Sequence, residues 1–316
     1  GACRAGNIYN LLQRVLYRMA EQGQTEYAQI PVISLNLMGE EKHTGFRITP
    51  GLLSGGIAAG CYGDLIMCLY QQVKPYEQNP GETDRIRSQV EKKLCESIRR
   101  HRNGRHTREK NYRYACEVFS KVPVKPGKKK RVGITGEIYM KCSKLGNDDI
   151  ESFLLRQGME PYSGGFVNYC LYLVDTERYK VEKYQHNPIM AKACAFVLHR
   201  LCEAQKHLLT VIGETDRFQT DLPFPELKEK VQGILAEGCN TGDGWLIAAE
   251  VIQYVEKGCG SVLILHPFGC LVSHVCERGI LQRLHARFPD VSIQTIEYDY
   301  DQSKTLRESR ILLAIS

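Results

Sequence analysis

The pattern that most constrains this chain begins after residue 131, where short apolar runs alternate with segments of helical periodicity. Val132-Gly-Ile-Thr-Gly-Glu-Ile-Tyr139 reads as a strand running into a loop, 149–157 as a short helix stopped by Gly158, and 159–162 as a second strand. A long helical zone over 169–211 is broken near Pro188, and further helices are predicted over 225–237 and 245–257. Residues 261–265 read as a buried strand, 273–288 as a helix, 291–296 as another strand and 303–314 as a last helix. Strands separated by helices of this length imply right-handed crossovers and a parallel sheet of four strands, an α/β fold.

The preceding half is different. Ile8, Leu11, Leu12, Val15, Leu16 and Met19 fall at helical spacing, a short strand is predicted over 31–35, and helices over 65–73 and 85–100. These are too few strands for a complete α/β domain. Because the chain opens Gly1-Ala2-Cys3 directly ahead of structure, a further strand is expected upstream of Gly1. Between Lys92 and Arg131 there are 15 Lys or Arg against three acids, Glu96, Glu109 and Glu117, a net +12 in a chain of net +6. The other residues therefore sum to −6. Two prolines and a glycine beside the lysine run of 122–131 are linker chemistry. They place a domain boundary between 126 and 127: a truncated α/β domain with a basic helical segment (1–126), then a complete α/β domain (127–316).

Composition narrows the class. The 316 residues are 43% hydrophobic and 25% charged, a globular balance. Thirteen cysteines are an odd number and too sparse for a disulfide scaffold. No basic segment followed by an apolar run opens the chain, and no uninterrupted apolar stretch reaches the ~18 residues of a membrane span. Fibrous, disordered, disulfide-rich and integral-membrane classes are set aside, and a reduced, cytoplasmic protein is expected.

Its thiols then need placing. No Cys-x-x-Cys occurs, which argues against zinc ribbons, thioredoxin motifs and clustered ferredoxin spacing, so a metal site would be assembled from ligands distant in sequence. In α/β proteins such ligands stand in loops beyond the carboxyl ends of strands. Cys270 meets that condition: its segment leaves a buried strand, turns at Pro267 and Gly269, and delivers the thiol ahead of a helix. Backbone N–H groups there favour a thiolate or an anionic cluster; a small apolar plug at the sheet end is the alternative. Cys3 precedes the helix at Ile8, with Arg4 beside it. Cys142 follows the first strand of the second half, and Cys239 sits in the Gly-rich loop 238–244. His266 and His274 flank Cys270 at four residues on either side; a His/Cys/His metal site or a His274 that simply braces the turn both fit that spacing. Cys61, Cys68, Cys194 and Cys202 lie on apolar helix faces as small hydrophobes.

Seven segments in register carry a resemblance. Gly1-Ala-Cys-Arg4, Pro31-Val-Ile-Ser-Leu-Asn36, Tyr62-Gly-Asp-Leu65, Gly133-Ile-Thr-Gly-Glu-Ile-Tyr139, Asn240-Thr-Gly-Asp-Gly-Trp245, Pro267-Phe-Gly-Cys270 and Tyr298-Asp299 together resemble the 2-hydroxyacyl-CoA dehydratase and benzoyl-CoA reductase superfamily. The match is with the C-terminal part of its large activase-related proteins. The resemblance implies flavodoxin-like three-layer α/β domains whose strand ends converge on an iron–sulfur cluster of unspecified type. Cys3 and Cys270 match the family's ligands and His274 its helix-opening histidine. Cys142 and Cys239 match no family cysteine and stand as candidates on position alone. The resemblance also implies an ATP-dependent activator as electron source, fused upstream or separate, an acyl-CoA as substrate, and assembly as a homo- or heterodimer. The chemistry would be that of a lyase or an ATP-coupled low-potential reductase. This chain departs from the family in having His266 in place of Gln, and at Asn147-Asp148 and Tyr300-Asp301.

Two other classes compete. A non-catalytic module with inert thiols needs no cluster. A nucleic-acid-binding protein would use the +12 segment, where Tyr112 and Tyr114 interleave with Arg108, Lys110 and Arg113, although no RNA- or DNA-binding motif accompanies them. Docking of an acidic activator or of CoA phosphates is a further use of that charge.

Overall fold

The computed structural model describes residues 6–30, 32 and 49–316, which divide into two compact units, 1–50 and 51–316. In the first, helix α1 (Gly6–Glu21) follows the apolar stripe and a 3-10 turn (Thr25–Gln29) comes after it. Ile8, Leu11, Leu12 and Val15 of that stripe are exposed. Cys3 lies outside the described residues, and so does the strand expected over 31–35 apart from Val32.

The second unit opens with α2 (Pro50–Val73), α3 (Glu82–Arg99) and α4 (Arg105–Ser120). Helix α2 begins far ahead of the run expected at 65. Gly55, Gly56 and Gly60 lower helix propensity there and mask its start. Over residues 50–76 this helix is long and apolar enough to cross a membrane, yet Ala58, Cys61, Leu65, Leu69 and Val73 are buried in the core of the unit.

The α/β part follows as β1 (Arg131–Gly136), α5 (Ile138–Cys142), α6 (Ile150–Arg156), β2 (Glu160–Ser163), α7 (Phe166–Lys180), α8 (Pro188–Gly213), α9 (Phe224–Glu229), α10 (Gly244–Glu256), β3 (Ser261–Pro267), α11 (Leu281–Arg287), β4 (Ser292–Tyr298) and α12 (Lys304–Ile315). All strand pairs are parallel, in the order β2-β1-β3-β4, with Ile134 against Leu263 and Leu263 against Gln294. This is the expected three-layer α/β arrangement. Side chains alternate across the sheet. Val132, Ile134, Leu263 and Leu265 face Phe153 and Leu154 of α6 and Ile311 of α12. Val262, Ile264 and Ile293 join Val251 and Ile252 of α10 and Leu284 of α11 on the other face. Burial on both faces explains why β3 reads as a continuous apolar run from Val262 to Leu265.

Four expectations are corrected. The loop after β1 is a short helix, α5, started by the Glu137 carboxylate accepting from Met140 N. The helix expected over 225–237 ends at Glu229, and that over 273–288 is broken into a π-helical turn (Ser273–Glu277), a 3-10 turn (Arg278–Ile280) and α11. The boundary between 126 and 127 falls inside one compact unit. Residues 122–131 fold back on the α2–α3 connection instead of acting as a linker: Lys125 N donates to Tyr76 O at 2.7 Å, Gln78 N to Pro123 O at 3.0 Å, and Lys129 N to the Tyr76 hydroxyl at 3.0 Å. Leu65, Val90 and Phe119 share one core with Val262 and Ile264.

Candidate functional site

The strand order reverses direction between β1 and β3, so the loops leaving these strands diverge at the crevice position of an open α/β sheet, beyond the carboxyl ends of the strands. At the β1 exit, Gly136 has φ +127°, and a Cβ there would lie 2.0 Å from Leu265 O, so the turn admits only glycine. It aims Glu137 N at Leu265 O, 2.8 Å away. Helix α5 then carries Lys141 inward to Glu250 of α10 (2.6 Å), while the second Glu250 oxygen accepts from Thr135 Oγ1 at 2.5 Å. The side chains of Lys141 and Glu250 are 4% and 2% exposed, so this ion pair is buried. Burial pulls the Lys141 ammonium down, but Glu250 more than offsets it and leaves its pKa raised.

At the β3 exit, Phe268 N donates to Tyr298 O at 2.8 Å and Gly269 turns the chain at φ +68°. Cys270 follows, half-buried, ahead of the helical turns of 271–277. Its carbonyl receives His274 N at 3.1 Å and lies 2.7 Å from His274 Nδ1, which places the proton on Nδ1. His274 therefore braces the Cys270 turn with the nitrogen nearest the cysteine. Its Nε2 lies 3.6 Å from Glu297, which also meets Arg278 (3.3 Å) and His266 (3.8 Å). His266 is fully buried, and burial lowers its pKa.

Three carboxyls that sequence patterning did not single out sit around this crevice. Glu277, at the end of the π-helical turn, is fully buried, with neither oxygen meeting a hydrogen-bond donor at good geometry. Burial pushes it up to about 7, the nearby Ser273 hydroxyl pulling against this. Asp243, just before α10, is raised well above its ordinary value by burial and then by Glu137 and Glu277. Burial also raises Glu137. Burial thus shifts all three toward the protonated form, which lessens the negative charge they carry.

Cys239 is half-buried in the loop ahead of α10, where its carbonyl accepts from Trp245 N at 2.9 Å. A Cβ on Gly244 would meet that carbonyl at 2.2 Å, which is why the loop needs its glycine. Cys276 is buried; burial raises its thiol, and Cys239, Glu277 and Cys270 raise it further by proximity. The fold therefore brings Cys239 and Cys270 into one neighbourhood with Cys276, which the sequence pattern places inside a helix. Cys142 lies in the last turn of α5 and lines a separate cleft of about 280 Å3 with Lys141, Lys144, Asn147 and Ser163. Cys61 and Cys116 are buried, as structural thiols are, and burial pushes both up to about 11.

The β2 exit is closed by the chain itself. Asp64 of α2 accepts from Phe166 N (2.7 Å) and Val167 N (2.9 Å) and so fills the N-terminus of α7. Desolvation lifts Asp64 to about 7 against those two donors.

Cys270 is half-buried at a strand exit with a helix start ahead of it, the position where α/β proteins place ligands. Among the described residues, however, no group of three or more His, Cys, Asp or Glu side chains is spaced to hold a metal ion. The described residues fit a cluster as contributors of single ligands, not as a closed set. The aromatic–basic interleaving also fails to form a stacking surface, since Tyr112 is fully buried and Lys93 Nζ covers the Tyr114 ring at 3.2 Å.

Comparison of the chain with protein-family models, with curated proteins and with solved structures finds no significant match.

Proposed function

We propose that this chain is an iron–sulfur-cluster-binding, electron-transferring component related to 2-hydroxyacyl-CoA dehydratases and their activators, with Cys270 as a ligand. The observation that carries the reading is the position of Cys270: half-exposed, at the exit of the central strand β3, ahead of a helical turn and near Cys239 and Cys276. Cys3 is proposed as a second ligand through the resemblance of its segment. An ATP-dependent activator as donor and an acyl-CoA as acceptor belong to the same proposal.

A bound cluster would supply one-electron transfer. The chain's own part would be to orient and insulate it. His274 holds the Cys270 carbonyl, Gly269 lets the turn close, and burial shifts the Asp243 and Glu277 carboxyls toward the protonated form, which lessens the negative charge facing an anionic group. The competing reading, an inert-thiol module, draws on the open ligand set among the described residues.

The test is iron and acid-labile sulfide content of the full chain prepared without oxygen, for wild type and Cys270→Ala. Brown protein that loses its iron on this substitution while keeping its circular dichroism supports the proposal. Iron-free wild type after reconstitution overturns it in favour of inert thiols.

A further inference from the structure

One dense patch of positive charge is the turn joining α3 to α4 together with the start of α4. Residues 99–110 hold six Lys or Arg, one acid (Glu109) and two histidines. The neighbouring acids are already engaged: Glu96 pairs with Arg99 and Arg100, Glu109 with Arg113, and Glu117 with Lys121. Lys92, Arg102, Arg105 and Lys110 are exposed and have no ion-pair partner among the described residues. Helix α4 also breaks the usual electrostatic order: its first turn holds Arg105, His106 and Arg108 with no acid, and Gly104 caps it without a side chain. Cations at the positive end of a helix disfavour it, so an arriving negative group would relieve a local repulsion. The Arg108 Nε is buried without an acceptor.

We infer that the α3–α4 turn is a docking surface for an acidic protein partner, whose carboxylates pair with Arg102, Arg105 and Lys110. Two observations support this partner. The turn is dominated by arginine, whose planar fork pairs with carboxylates. No exposed aromatic ring accompanies the cations for base stacking, because Tyr112 is core and Tyr114 is covered. The surface does not depend on the cluster reading.

The experiment uses the full chain and a fluorescent Glu-rich peptide, with a DNA duplex and inorganic pyrophosphate as alternative probes. The triple variant Arg102→Ala/Arg105→Ala/Lys110→Ala is expected to lose about tenfold or more in peptide affinity, with a shallower salt dependence. A control that removes the same charge elsewhere, Lys183→Ala/Lys192→Ala/Lys206→Ala, should bind the peptide as wild type does. Equal losses in both variants, tighter binding of DNA than of peptide, or complete displacement by pyrophosphate at matched ionic strength would each overturn the assignment. Iron content is read separately, so failure here leaves the cluster proposal standing.

Discussion

At the scale of single residues, the least replaceable interaction beside the crevice is the ion pair of Lys141 with Glu250. Both charges have left water, and each is tolerable only because the other is 2.6 Å away. Lys141→Met should therefore destabilise the fold by about 3–5 kcal/mol, since it strands a buried carboxylate, and adding Glu250→Gln should recover much of that loss. Urea midpoints of the single and double variants check this; a single variant as stable as wild type would contradict it. Glu277 gives a pH signature. Its carboxyl is raised from an ordinary 4.5 to about 7, so between those values the folded chain holds a proton that the unfolded chain has released. The unfolded state then binds fewer protons, and this group lowers stability as pH rises from about 4.5 to about 7. Glu277→Gln removes that contribution, so its advantage over wild type should grow between pH 5 and pH 8. An unchanged difference across that range would mean the carboxyl is not protonated in the native state.

At the scale of elements, two glycines test how closely helices approach. Gly165 opens the path from Asp64 to the start of α7, and a Cβ there would sit 2.1 Å from Asp64 Oδ2. Gly165→Ala should displace the cap and cost about 2 kcal/mol, whereas Gly56→Ala, with nothing within 4 Å in α2, should stabilise by about 0.5–1 kcal/mol. Thermal denaturation of both variants reads the sign directly. The same elements show what patterning could reveal. β3 was legible because burial on both faces writes itself as an apolar run, β1 and β4 through shorter apolar patterns (Val132 and Ile134, Ile293 and Ile296), and Cys270 because a strand, Gly269 and a helix start follow one another. Helix α5 was not, since five residues begun by one Glu137 cap carry no periodicity. The start of α2 was hidden by its glycines. Glu137, Asp243 and Glu277 are separated by long stretches of chain and meet only through the crossover topology, so no local spacing announces them. Cys276 was obscured for a related reason: the π-helical turn over Ser273–Glu277 changes which residues face the crevice.

At the scale of the whole molecule, the helices of α2–α4 and the parallel sheet share one core, and the crevice lies where the sheet order reverses. Such a frame holds the exits of β1 and β3 rigidly while leaving their loops free to carry chemistry. The central claim is that Cys270 ligates a redox-active cluster there. The most direct measurement is the low-temperature electron paramagnetic resonance spectrum of the anaerobic, dithionite-reduced full chain, compared among wild type, Cys270→Ala and Cys194→Ala. The account predicts an iron–sulfur signal in wild type and in Cys194→Ala that is lost in Cys270→Ala. An identical signal in all three, or none in wild type after reconstitution, would contradict it.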